Sequence, residues 1–187
     1  MEIRKAQLIP ENCYHIFNRG VNGMPVFFED KNYSYFLQQY AKYVHPLVET
    51  FAYCLLGNHF HLFIRVRSKE ELNMHIKKDH EKPYYWHVSN GFSSFMQSYT
   101  RAMNKMYDRT GALFETPFKR IEVSNDSYFS ALIAYIHRNP ETHGIIDDFR
   151  EYPYSSYHAM LQEKLTKINR REVIEWFGNR SSFIDFH

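Results

Sequence analysis

His59-Phe60-His61 sits inside a largely apolar run from Phe51 to Val66, directly after Gly57-Asn58. A two-residue Gly-Asn connection between two apolar runs is of the kind that makes tight β-hairpins. The sequence therefore predicts a strand over 50–56, the turn, and a strand over 59–66. Successive strand side chains point to opposite faces, so His59 and His61 emerge together while Phe60, Leu62, Ile64 and Val66 face the other way. Two neutral imidazoles on one rigid face can grip one divalent metal ion, whereas the plainer reading is two polar residues at the start of a half-buried strand.

The 187 residues fit one compact domain, and we expect residues 1–157 to form it, with 158–187 a helical extension packing on the same domain. Cys13 to Arg19 reads as a first strand, and 31–44 as a helix with Tyr33, Phe36, Leu37, Tyr40 and Val44 at helical spacing. Ser68 with Glu71 three positions on signals a short helix start, running to about Met74. The segment 77–87 is charged and broken by Pro83, which predicts a loop. Residues 89–107 then carry Phe92, Phe95, Met96, Tyr99, Met103 and Met106 at helical spacing, with Gly111 as the stop signal, and 120–124 reads as a fourth strand. Asn125 or Asp126 can cap a last helix that continues through Phe129, Leu132, Ile133 and Ile136 until Pro140 ends it. The order βαββαβα predicts an α+β fold with a ferredoxin-like antiparallel sheet (βαββαβ) and an added helix carrying Tyr135.

Composition sets limits rather than a function. The 23 basic and 21 acidic residues give a net charge of +2, so a polyanion partner has to be argued from local patches. Cys13 and Cys54 fall in apolar strand-like stretches, which favours reduced thiols and a cytoplasmic protein. The first ten residues lack the apolar core of a signal peptide, and no apolar stretch approaches the roughly 20 residues that span a bilayer. Aromatic residues, 18% of the chain, suit either a packed α+β core or a base-stacking surface.

On the last helix Tyr135 and Asn139 lie four residues apart and share a face. Asn139 offers a hard oxygen donor suited to Mg²⁺ or Mn²⁺, and with two imidazoles it makes an incomplete coordination set that leaves room for water and a phosphate oxygen. The alternatives are a core-facing Tyr135 beside Leu132 and Ile136, and an Asn139 that merely ends a helix before Pro140. His15 and His137 are other candidate ligands. His137, two residues from Tyr135, points well around the helix and is expected at the surface or facing phosphate. His75, His80 and His87 are expected to be solvated.

Gly57-Asn58-His59-Phe60-His61, followed by Tyr135-Ile136-His137-Arg138-Asn139-Pro140, resembles the HUH-type tyrosine transposases, in the branch of REP-associated tyrosine transposases and related insertion-sequence enzymes. Gly111-Ala112-Leu113-Phe114 with Phe118-Lys119, and Tyr152-Pro153-Tyr154-Ser155-Ser156-Tyr157, extend the resemblance over 13–157. One departure is Gly57, where relatives commonly have Pro; it affects the turn and not a ligand.

The resemblance implies that His59, His61 and Asn139 hold a divalent metal, Mg²⁺ or Mn²⁺, and that Tyr135 is the nucleophile. It further implies that single-stranded or hairpin DNA is cut through a 5′-phosphotyrosine link and rejoined. Tyr99 is the competing tyrosine, ranked second as a packing or DNA-contacting residue. A free tyrosine has a pKa near 10, so about one in a thousand is ionised at neutral pH, and the nucleophile needs a cation or base nearby. Arg101, Lys105, Arg109, Lys119, Arg120 and Arg138 form a local basic excess suited to DNA phosphates. Relatives include monomers and homodimers that exchange the tyrosine helix, and both states stay open. The rival classes are a non-catalytic hairpin or single-strand binder and a phosphoesterase that uses water instead of a tyrosine.

Overall fold

Strand alternation builds the frame. In the computed structural model, which describes residues 6–76, 81–125 and 128–187, β1 (Cys13–Arg19), β2 (Val48–Leu56), β3 (His59–Val66) and β4 (Lys119–Val123) form one antiparallel sheet in the order β2-β3-β1-β4. With α1 (Asp30–Tyr43) between β1 and β2, and α2 (Lys69–His75) and α3 (Tyr84–Met106) between β3 and β4, this is the expected ferredoxin-like topology. The chain then adds α4 (Phe129–Thr142), α5 (Tyr157–Leu161), α6 (Arg170–Trp176) and α7 (Arg180–Phe186). None of the described helices is long and apolar enough to cross a membrane.

The alternation along β3 divides the interior into two layers. Phe60, Leu62, Ile64 and Val66 join Tyr14 and Ile16 of β1 under α1 and α3. The ring of Phe36 on α1 sits within 4.7–5.3 Å, centroid to centroid, of Phe27, Phe60, Phe95 and Tyr99, and truncating a ring so enclosed costs about 3–5 kcal/mol. On the opposite face Phe63 joins Phe51, Cys54 and Leu56 against Leu132, Ile133 and Ile136 of α4, with Val173 of α6 and Phe183 of α7 closing the layer. Arg65, on that same face, bridges Glu49 of β2 at 2.5 Å and Glu172 of α6 at 2.7 Å. Cys13 and Cys54 are both buried and form no disulfide.

The observed elements depart from the expected ones in specific ways. Residues 77–80 of the expected loop, including His80, lie outside the described residues; His75 is exposed, and His87 is partly buried at the start of α3 rather than in a loop. That helix begins at Tyr84, five residues before the predicted 89, because Pro83 takes the N-cap position with an extended backbone and Val88 extends the apolar stripe backwards. Strand β2 starts two residues early at Val48 and carries an irregularity between Thr50 and Ala52, which leaves both Phe51 and Ala52 in the α4 layer. Strand β4 is shifted by one residue to Lys119–Val123. Asp126, the alternative cap for α4, lies outside the described residues; Tyr128 occupies the N-cap, its amide bonded to the Asn125 carbonyl.

Pro140 does not end α4. The helix runs on to Thr142, with the His143 amide bonded to the Asn139 carbonyl at 2.9 Å and the Ile145 amide to the Pro140 carbonyl at 2.9 Å. Proline removes one donor and crowds the carbonyl four residues back, which a final turn tolerates when the following amides still find partners. This extra turn positions part of the site.

Candidate active site

The β2–β3 hairpin and β1 bring the imidazoles together. Cross-strand register sets Phe17 opposite His61 and Arg19 opposite His59, so β1 contributes side chains to the same face of the sheet. The rings of His59 and His61 stand 5.3 Å apart, centroid to centroid, at an interplanar angle of 86°. Each has its Nδ1 engaged: that of His59 with Asn58 Oδ1 at 2.6 Å, that of His61 with His15 Nε2 at 2.9 Å. Burial holds His59 down to about 4, assisted by His143 and Arg19. Burial likewise holds His61 down to about 2, with His15, His59 and His143 adding to the effect, and His15 to about 4. All three are neutral at pH 7, the form that binds metals.

Helix α4 supplies the opposite wall. Its apolar residues Leu132, Ile133 and Ile136 fasten it to the sheet, which turns Tyr135 outward at 48% exposure. The Tyr135 ring meets the rings of His61 and His15 edge-on at 5.9 and 6.2 Å. Tyr135, Asn139 and His143 follow one another at four-residue steps, and the helical turn beyond Pro140 carries the His143 ring to 5.1 Å from His59. An open cleft of about 400 Å³ results, with Tyr135, His59, His61, His143, Arg19 and Lys119 among its lining residues. Glu115 links the two cations at its rim, 2.5 Å from Arg19 and 3.6 Å from Lys119.

Asn139 is turned inward at 1% exposure and is not one of the cleft's lining residues. Its Nδ2 donates to the Tyr135 carbonyl at 2.7 Å, while its Oδ1 is buried with no hydrogen-bond partner. Among the described residues no three His, Cys, Asp or Glu side chains are arranged to hold a metal ion. Were His59 and His61 to hold a divalent ion, a donor of another type would have to join them, and the unsatisfied buried amide oxygen of Asn139 on the tyrosine's own helix is of the hard-donor kind such an ion takes. The residues present fit a divalent ion in that sense.

The other sequence candidates scatter. Tyr99 is fully buried, its hydroxyl donating to the Val26 carbonyl at 3.0 Å and its acidity suppressed by burial, so its role is packing. His137 is wholly buried, not surface or phosphate-facing: its Nδ1 pairs with His187 Nε2 at 2.8 Å and its Nε2 with Ser156 Oγ at 2.7 Å. Its position two residues past the exposed Tyr135 rotates it inward, against Tyr157 and Phe183 of the C-terminal segment.

Among the basic residues, Lys119 reaches the cleft. Arg101 and Arg120 line a separate groove of about 790 Å³ between α3 and the 111–120 segment, where Arg120 donates to Ser89 Oγ at 2.8 Å and keeps a buried Nε without a partner. Arg109 folds back on Asn104 at 3.2 Å and over the Phe28 ring at 5.7 Å, and Lys105 is exposed in the last turn of α3. Arg138 points away from the cleft toward Glu141 at 3.8 Å and the Phe149 ring at 5.9 Å.

Arg19 and His143 escaped the reading of the sequence. The alternation Cys13, His15, Phe17, Arg19 marks a common face for Arg19, but only the β1–β3 register reveals that it faces His59. His143 lies beyond a proline that was expected to stop the helix.

No family model matches the chain, but one curated protein is similar in sequence and one solved structure is similar in fold. A curated Haemophilus influenzae protein that carries the name of a REP-associated tyrosine transposase is 26% identical over 123 residues, a match covering 65% of this chain and 65% of that protein's length. The fold is shared with a solved REP-associated tyrosine transposase bound to a REP hairpin, at a TM-score of 0.64 and 14% identity, covering 89% of this chain and 88% of the other.

Proposed function

We propose that this chain is a metal-dependent tyrosine DNA transposase that cleaves and rejoins single-stranded or hairpin DNA through a 5′-phosphotyrosine intermediate. One observation carries the reading. Within a single chain, a half-exposed tyrosine on α4 stands edge-on, 5.9 Å between ring centroids, to one of two neutral imidazoles that share a cleft with two cationic side chains. The similarity to proteins named REP-associated tyrosine transposases supports the same chemistry.

The Tyr135 oxygen attacks the scissile phosphorus, the Oη–P bond forms, and the bond from phosphorus to the 3′ oxygen breaks. The phenolic proton is lost, and the departing oxygen takes one up to leave as a 3′-hydroxyl. Attack on the phosphotyrosine by that hydroxyl, or by one on another strand, reverses the exchange, so one ester replaces another and no nucleotide cofactor is consumed. Lys119 and Arg19 line the cleft with positive charge that orients the phosphate, and Glu115 holds both cations in place. His59, His61 and the Asn139 amide oxygen would hold Mg²⁺ or Mn²⁺. Such an ion supplies Lewis-acid neutralisation of the phosphoryl oxygens, typically worth several kcal/mol. Arg101 and Arg120, with Lys105 and Arg109 at the end of α3, contribute phosphate contacts farther along the DNA, and Arg138 takes the weaker part that its pairing with Glu141 leaves it.

The test uses labelled hairpin DNA with Mn²⁺, resolved on a denaturing gel. A covalent protein–DNA adduct that disappears in Tyr135→Phe and persists in Tyr99→Phe supports the reading. Free fragments without adduct favour a phosphoesterase, and intact, retained DNA favours a binding protein. An adduct that survives Tyr135→Phe overturns the assignment of the nucleophile.

A further inference from the structure

We infer that His15 is a positioning residue whose Nε2 accepts a proton-bearing Nδ1 from His61, fixing the tautomer that leaves the His61 Nε2 lone pair free for a metal ion. The inference rests on the reading that His59 and His61 hold that ion. It concerns β1, a strand that contributes none of the residues assigned to the ion.

The argument is a count of protons. His15 Nε2 and His61 Nδ1 are 2.9 Å apart and both rings are buried, so one hydrogen bond joins them and one ring must donate. If His15 donates, the single proton of neutral His61 sits on Nε2, and that nitrogen can ligate nothing. If His61 donates from Nδ1, its Nε2 carries the lone pair. His59 follows the same rule with a different partner, because Asn58 Oδ1 at 2.6 Å can accept from its Nδ1. Both imidazoles are thus fitted with an acceptor behind them, the outer arrangement that orients metal-binding histidines and raises their basicity.

Packing fixes the geometry as well as the proton. The His15 ring lies 4.9 Å from Phe17 and 5.1 Å from His61, and Phe17 in turn lies 5.6 Å from His61. The His61 ring is therefore held by neighbours on β1 that cannot move without the sheet. A residue that fills this space without accepting a hydrogen bond should preserve the fold and spoil the metal site.

The experiment titrates Mn²⁺ into wild type, His15→Phe, His15→Met, His15→Gln and His61→Ala, reading free Mn²⁺ by electron paramagnetic resonance, with thermal melting to confirm folding. The wild-type His61 tautomer is read directly from its ring ¹⁵N shifts. Removing the acceptor in His15→Phe or His15→Met should weaken binding about 10–100-fold. His15→Gln, which restores an accepting oxygen, should recover most of it, and the wild-type shifts should report the Nδ1–H form.

Wild-type affinity in both acceptor-free variants, with binding lost in His61→Ala, makes His15 a packing residue and overturns the inference alone. An Nε2–H tautomer in the wild type does the same. Unchanged binding in His61→Ala removes the metal reading, and the inference falls with it.

Discussion

Replacing Asn139 by leucine tests its proposed part as a third ligand through stability, independently of DNA. The side chain is 1% exposed, and its Oδ1 is buried without a partner, a condition that costs about 1–3 kcal/mol in a protein lacking a bound ion. Leucine has nearly the same shape and removes that liability. It also removes the 2.7 Å bond from Nδ2 to the Tyr135 carbonyl, a net loss of about 0.5–1.5 kcal/mol, although that carbonyl keeps its place in the helix ladder. The first effect offsets or outweighs the second, so metal-free Asn139→Leu should match or exceed the wild type by up to about 2 kcal/mol. With Mn²⁺ the order should reverse. At a concentration 100 times the wild-type Kd the ion stabilises the native state by about 2.7 kcal/mol, roughly 5–10 °C in Tm for a domain of this size, whereas a 100-fold weaker site gains about 0.4 kcal/mol. Urea melts of both proteins with and without Mn²⁺ read all four values. Equal protection of both proteins by Mn²⁺ refutes the amide as a ligand, and a metal-free loss beyond about 2 kcal/mol refutes the claim that Oδ1 is an unsatisfied liability.

Acid should destabilise the fold from an identifiable window. His15, His59 and His61 have folded-state values lowered from an ordinary 6.5 to about 4, 4 and 2, so the unfolded chain binds more protons below pH 6.5. Stability present above pH 6.5 should therefore fall continuously toward pH 4 in a melting series, and a flat response would remove the buried neutral imidazoles from the account. Gly20→Ala should lose about 1–3 kcal/mol in urea melts, because its Cβ would lie 2.0 Å from the Met24 carbonyl oxygen in the turn packed beside the hairpin; an unchanged midpoint would contradict that crowding. Affinity for single-stranded DNA should drop with salt by about 0.7 log units per decade for each phosphate neutralised, and Arg120→Gln should lower that slope; an unaltered slope takes the α3 groove out of the DNA path.

What was legible in the sequence follows how local each determinant is. The bounds of β1 and β3 coincide with the predicted spans, because a short, largely apolar run next to a Gly-containing turn specifies a strand without reference to the rest of the fold. The common face of His59 and His61, and the shared side of α4 that carries Tyr135 and Asn139, were readable for the same reason. Tyr135 could not be told from a core aromatic until Leu132, Ile133 and Ile136 were seen to take the apolar stripe, which leaves position 135 on its edge. The start of α3 was missed because a charged, proline-containing segment and a helix N-terminus use the same residues, and His137 because its burial depends on a C-terminal segment more than 40 positions away in sequence.

The same distinction explains how the cleft is assembled. Its His59–His61 face and its tyrosine are each encoded within a few residues, but the imidazole behind His61, the cation opposite His59 and the second imidazole beside it come from β1 and from the turn past Pro140. Those partners exist only once β1 inserts between β3 and β4 and α4 seals the second core. A cleft written locally is thus completed by non-local packing, which within one chain brings Tyr135 to the paired imidazoles.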